Sequence, residues 1–186
     1  MTTARTDDKG FLYEWVTTLD GHHLVQIRRL FNAVLETETV IGFPAPLENG
    51  ESQGFFDELA QDIRLRRKDL LLVRAPNESV VAMLLLSQNA QPNCRHIAEL
   101  SKCIIQPEYR GQGVLDGGVK ALAERCREIG VDVLTMDVRK GSRAEKIWRL
   151  LGFTPFGELP DYARVAGKVE AGVYMWARAD GLGRTP

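Results

Sequence analysis

Ile104 and Ile105 close an apolar stretch that ends at Pro107, and Gly111 and Gly113 follow just ahead of Val114, Leu115, Val119, Leu122, Cys126 and Ile129, which recur at helical spacing. Proline cannot donate to a strand ladder, so the strand stops there, and the glycines let the backbone bend sharply into the helix. A strand, a glycine turn and a helix in this order aim several backbone N–H groups at one point before the helix N-terminus, which suits a diphosphate. Gly130 then supplies the helix stop. The unit requires an α/β fold in which the loop rides on a packed helix.

Glycine turns of this kind also build dinucleotide sites. The spacing fits those less well, because Gly111, Gly113 and Gly117 give G-x-G-x-x-x-G, and Pro107-Glu108-Tyr109-Arg110 separates the turn from its strand.

Upstream, Phe11 to Leu19 alternates like a strand and ends in an Asp20-Gly21 turn. Leu24, Ile27, Phe31 and Val34 mark one helical face, and Phe56, Leu59, Ala60 and Ile63 mark a second. Between them, 41–54 holds two prolines and three glycines, a loop that reads either as a substrate lid or as a surface connection. Leu70 to Arg74 and Val80 to Ser87 flank Ala75-Pro76-Asn77-Glu78 and predict a hairpin. Arg95 to Ile105 is the next strand. After the loop helix come a strand from Val131 to Val138, a helix from Arg143 to Leu151, and closing strands at Thr154 to Glu158 and Val173 to Ala177. The expected organisation is one domain over 10–179, with tails at 1–9 and 180–186.

The run Arg110-Gly111-Gln112-Gly113-Val114-Leu115, after a strand ending before Pro107, resembles the R/Q-x-x-G-x-G/A signature of the GCN5-related N-acetyltransferases (GNAT). Leu115 stands where that family has a small residue. The order of elements and the Leu150-Leu151-Gly152-Phe153 helix ending extend the resemblance over most of the chain. Within the family it is nearest the tabtoxin-resistance acetyltransferase subgroup, through Gly42-Phe43, Ala98-Glu99-Leu100, Asp137, Gly141-Ser142 and Gly157 to Tyr162. The resemblance implies an α/β (α+β) fold with a mostly antiparallel mixed central sheet of six or seven strands flanked by about four helices. It implies an acyltransferase that uses acetyl-CoA as acyl donor. Cys103, Ile104 and Ile105 would align the pantetheine arm, and amides from Arg110, Gly111, Gln112, Gly113, Val114 and Leu115 would hold the diphosphate.

Acetylating an amine requires a neutral nitrogen, whereas an alkyl amine with a pKa near roughly 10 is mostly charged at neutral pH. Glu99 sits inside a half-apolar strand on one face with Ser101 and Cys103. A carboxylate partly buried there would be raised toward working pH and would serve as general base. Its plain alternative is a surface ion pair with Lys102 or Arg95. Asp137 ends Val133-Leu134-Thr135-Met136-Asp137 on the neighbouring strand, where it would anchor the amine or act as a second base, or else accept backbone N–H bonds. Ser142 opens a capping box, Ser142-Arg143-Ala144-Glu145, at a helix start that would also help bind the cofactor arm.

Many relatives carry a thiolate-protonating tyrosine where this chain has Trp148, and an indole N–H donates hydrogen bonds without being a useful acid. Ala144, Ile147, Trp148 and Leu151 form one apolar face, so packing accounts for Trp148. Tyr162 and Cys103 are the substitutes, and Tyr162, on a loop between the last strands, would either line the acceptor pocket as well or be a half-buried loop tyrosine.

With 44% hydrophobic and 26% charged residues and a net charge of -1, the chain lacks the basic excess of a nucleic-acid binder. It has neither a signal core nor an apolar run near about 18 residues, so no membrane partner is expected. Three cysteines without metal-ligand spacing point to a reducing cytoplasm and away from a metal site. The expected substrate is a small-molecule amine, amino-acid-like or antibiotic- or toxin-like, acted on by a monomer or homodimer. The rivals are a CoA-binding regulatory module with weak or no transfer, favoured by Leu115 and Trp148, and a protein N-acetyltransferase.

Overall fold

The computed structural model describes residues 4–38, 47 and 53–183. The fold is mixed α/β; the described residues form eight strands in a mixed sheet and four α-helices. It comprises two compact units, Met1–Ser87 with Lys102–Gly118, and Gln88–Ser101 with Val119–Pro186.

The first unit holds β1 (Ala4–Thr6), β2 (Leu12–Val16), α1 (Gly21–Leu35), α2 (Gln53–Arg64), β3 (Lys68–Arg74) and β4 (Val80–Gln88) as far as Ser87. These four strands pair antiparallel in sequence order. Residues 4–6, expected in a tail, supply an edge strand, one reason the count exceeds the expected six or seven. Asp20 caps α1 by accepting the His23 N–H at 2.8 Å, so the helix begins at Gly21, ahead of its first core residue. The expected β3–β4 hairpin is present, closed by the Ala75 N–H on the Ser79 carbonyl with Glu78 at φ +64°. Ile27, Leu30, Phe31 and Val34 of α1 and Phe56, Leu59 and Ile63 of α2 pack with Leu70, Leu72, Met83, Leu85 and Ile104. Ile27, Phe31, Val34, Phe56, Leu59 and Ile63 come from the two predicted helical faces and Leu30 joins them, so burial of one stripe per element builds this core. The loop and lid expected over 41–54 lie outside the described residues apart from Leu47, Gln53 and Gly54. Leu47 is buried, and its backbone N–H is held by the Asn32 side chain at 2.7 Å.

The second unit contains the start of β5 (Ile97–Ile105), most of α3 (Val114–Ile129), β6 (Val133–Arg139), α4 (Arg143–Leu150), β7 (Thr154–Val165) and β8 (Lys168–Arg178). β5 runs parallel to β6 through Ile97↔Val133, Ala98↔Leu134 and Glu99↔Thr135, and β6 and β7 both pair antiparallel with β8. Ala98, Leu100, Leu134, Met136, Val173, Met175 and Ala177 are buried, as are Leu122 and Cys126 of α3 and Trp148 of α4.

The closing strands are longer than their sequence suggests. β7 and β8 form one hairpin around Ala166 and Gly167, whose φ values of +49° and +78° suit a two-residue turn that continues the strand twist. Tyr162 therefore lies in strand β7, not on a loop. Pro160 falls where the β7 register is interrupted between Leu159 and Ala163, so no ladder bond is demanded of it. At the other end of the chain Leu182 is buried, beyond the predicted limit of the domain at 179.

Candidate active site

In the first unit, β5 ends in a short 3-10 turn, Pro107–Tyr109, and α3 starts at Val114. Gly111 at φ +75° and Gly113 at φ +90° make the bend, a conformation that side chains disfavour. The first bond into the helix runs from the Gly117 N–H to the Gly113 carbonyl at 3.1 Å. The amides of Val114, Leu115 and Asp116 precede it at the head of the helix, where no intrahelical acceptor exists. Gly111 and Gln112 are exposed, Gly113 and Leu115 are half-buried, and Val114 is buried. The bend and its open amides fit a diphosphate.

Arg110 does not belong to that row. Its N–H is spent on the Pro107 carbonyl at 3.3 Å, and its guanidinium bonds the Ile105 carbonyl at 3.2 Å and Glu38 at 2.5 Å. Arg110 thus ties the loop back to the end of β5 and to the segment after α1. Ile104 is buried in the core, while Cys103 and Ile105 are half-buried. Lys102 at φ +51° interrupts the pleat, so the face expected to join Glu99, Ser101 and Cys103 is regular only as far as Ser101.

The second unit brings the two carboxylates to one side. Glu99 pairs with Thr135, and Asp137 is two residues further along β6, so all three share the face opposite Leu134, Met136 and Val138. Register places Trp176 and Tyr174 of β8 beside Thr135 and Asp137 on that face. Sequence analysis missed both aromatics, although their alternation with the buried Val173, Met175 and Ala177 carries the signal. Glu99 is exposed rather than partly buried, because Ala98 and Leu100 occupy the buried side of the strand. Among the described residues no hydrogen bond or ion pair engages its carboxylate, so the alternative ion pair with Lys102 or Arg95 does not form.

Asp137 accepts a hydrogen bond from the Tyr162 hydroxyl. The Tyr162 ring reaches there by crossing Gly172 of β8, where any Cβ would collide with it. Burial first, and the bond to Asp137 second, push the Tyr162 phenol well above its usual range. Burial likewise pushes up the Cys103 thiol.

Ser142 caps α4, its hydroxyl accepting the Glu145 N–H at 3.1 Å while Glu145 accepts the Gly141 N–H at 2.6 Å. The reciprocal bond falls one residue earlier than in the expected box, on Gly141 at φ +75°. Trp148 is buried edge-on against Phe153, with ring centroids 5.2 Å apart, and packing accounts for it.

The acetyltransferase (GNAT) family model matches residues 24–153. A candidate phosphinothricin N-acetyltransferase has a similar structure, with a TM-score of 0.70 at 16% identity over 96% of this chain and 99% of that one. The ribosomal-protein-alanine N-acetyltransferase of Brucella melitensis gives 0.71 at 20% identity over 87% and 97%. A candidate acetyltransferase from Salmonella typhimurium, solved with its cofactor acetyl-CoA, gives 0.67 at 16% identity over 100% and 98%. At these identities the structural likenesses speak for the fold.

Proposed function

Because the chain belongs to the GNAT family of acetyltransferases, acyltransferases that use acetyl-CoA, we propose that it acetylates the amine of a small molecule by direct transfer. The observation that carries this reading is the shared open face of Glu99 and Asp137. An ammonium group is held there by two carboxylates, and one of them removes its proton, directly or through water. Glu99 is the principal base because its carboxylate is unengaged. Asp137, held by Tyr162, anchors the amine.

Acetyl-CoA supplies the activated acyl group. The amides of Gly111, Gln112, Gly113, Val114 and Leu115 receive its diphosphate, and Cys103, Ile104 and Ile105 align its arm. Arg110 supports the loop through its side chain, and Ser142 serves α4 as its cap. The departing thiolate needs a proton that Trp148 cannot give. The Tyr162 hydroxyl is committed to Asp137, so the thiolate takes its proton from bulk solvent once it has left. Cys94, Cys103 and Cys126 are thiols outside any disulfide, which suits a reducing cytoplasm.

The acceptor is amino-acid-like or antibiotic- or toxin-like, in keeping with the resemblance to the tabtoxin-resistance subgroup. Exposure of Glu99 also favours a second reading, a peptide N-terminus as acceptor, which the name of the Brucella relative matches. Single-turnover transfer to a panel of small amines and N-terminal peptides, run beside calorimetric titration with CoA, separates these readings. Transfer to small amines alone supports the proposal, and transfer confined to peptides replaces it with the second reading. CoA binding with no transfer to either leaves a binding module.

A further inference from the structure

We propose that Lys9, in the turn between β1 and β2, is a ligand of the cofactor diphosphate. This rests on the acetyl-CoA reading above and adds a residue that the family match, beginning at residue 24, does not include. The Lys9 ammonium donates to the Gln112 carbonyl at 2.8 Å, in the middle of the glycine bend. It also lies where a Cβ on Gly113 would approach its Nζ to 3.3 Å, so a side chain at 113 would crowd the lysine. A positive charge is thereby fixed beside amides that lack intrahelical acceptors. An ammonium has three donors, and the Gln112 carbonyl takes one, leaving two for phosphate oxygens.

The turn that carries Lys9 is built to stay in place. The Asp7 carboxylate accepts the Lys9 N–H at 3.0 Å and the Phe11 N–H at 2.9 Å through one oxygen, and the Tyr13 hydroxyl at 3.1 Å through the other. Tyr13 in turn lies against Gly117 in the first turns of α3, where no Cβ would fit, and Phe11 meets Tyr109 edge-on with centroids 6.2 Å apart. The hairpin turn and the glycine loop are therefore fastened to each other on both sides of Lys9. Asp7 is spent on the turn, so it does not neutralise the ammonium directly.

Calorimetric titration of the full chain with CoA and with dephospho-CoA, at two salt concentrations, tests this. Lys9→Ala is expected to weaken both ligands by the same factor, about tenfold, the scale of one charge-assisted hydrogen bond at an exposed site. It should also flatten the salt dependence, while Lys9→Arg binds nearly as the native chain does. Thermal melts of the ligand-free variants, with Lys9→Gln as a second variant, check that the fold is kept. Native-like affinity in a folded Lys9→Ala protein overturns the assignment. So does a loss seen with CoA but not with dephospho-CoA, which would move the lysine to the 3′-phosphate. A native chain that fails to bind CoA ends the acetyl-CoA reading itself.

Discussion

Tyr162 on β7 donates its hydroxyl to the Asp137 carboxylate on β6, two strands away, by lying across Gly172 of the strand between. The pair sets the orientation of Asp137 on the face it shares with Glu99. It also fixes the state of the phenol. Tyr162 and Tyr13 are both raised by burial and by a carboxylate partner, Asp137 and Asp7 respectively. A folded pKa above the ordinary value of 10.0 gives stability that is present below that value and lost as pH rises through the folded one. Absorbance titration of the phenolates should therefore show Tyr13 and Tyr162 resisting ionisation at about pH 11 until the chain unfolds. Tyr162→Phe should leave one. Ionisation of Tyr162 near its ordinary value in the folded protein would show that the bond to Asp137 does not persist in solution.

Glu99→Gln should fold and bind CoA as the native chain does, since the carboxylate is exposed and has no partner to lose. Transfer should slow by at least about a hundredfold, the lower scale for removing a general base. Turnover within a few-fold of native would take Glu99 out of the mechanism and leave Asp137 as the base, which the Asp137→Asn variant would then reveal.

Much of this arrangement was legible in the sequence, for identifiable reasons. The glycine bend could be read because Pro107, Gly111 and Gly113 act locally on φ and on donor supply, and both helical faces because burial imposes a period. The common face of Glu99 and Asp137 followed from alternation once β5 and β6 were neighbours. Tyr162 was misplaced because Pro160 and Asp161 resemble loop residues, whereas the Ala166-Gly167 turn and the irregular register carry the strand past them. Exposure of Glu99 could not be read, since alternation does not say which side of a strand is covered. Lys9 lay in a segment too short and polar to predict as structured, and its ordering depends on contacts with residues about a hundred positions away.

Trp148 is buried edge-on against Phe153 and packs as part of the second unit's core. Trp148→Phe should cost about 1 to 3 kcal/mol of stability through the cavity it leaves. Below the melting temperature kcat should be unchanged, because the indole carries no transferable proton. A fall in kcat of tenfold or more in a well-folded variant would mean that the indole N–H serves the reaction.

Gly117 is required for its smallness and not for an unusual backbone angle. A Cβ there would collide with the ring and hydroxyl of Tyr13. Gly117→Ala should destabilise the chain by about 1 to 3 kcal/mol, the range for overpacking a filled site. Adding Tyr13→Ala should cost less in that background than alone, because the second change removes the clash. Additive losses in denaturant melts of the four chains would show that Tyr13 and Gly117 do not touch.

Glu145 is buried at the start of α4 and its carboxyl lies below its ordinary value of 4.5, held down first by the Arg149 guanidinium and then by the Gly141 N–H. A depressed carboxylate contributes stability above its unfolded pKa, and that contribution is lost as pH falls through the folded one. The melting temperature of the native chain should therefore decline as pH drops below about 4.5. Glu145→Gln should be less stable at neutral pH by about 1 kcal/mol, the scale of a lost helix-terminal bond, because the amide cannot pair ionically with Arg149. Its melting temperature should fall less steeply in acid, so the two curves converge. Parallel curves down to pH 3, for which the ionisation of Glu145 would have to be the same in folded and unfolded chains, would refute the role given to Arg149 and Gly141.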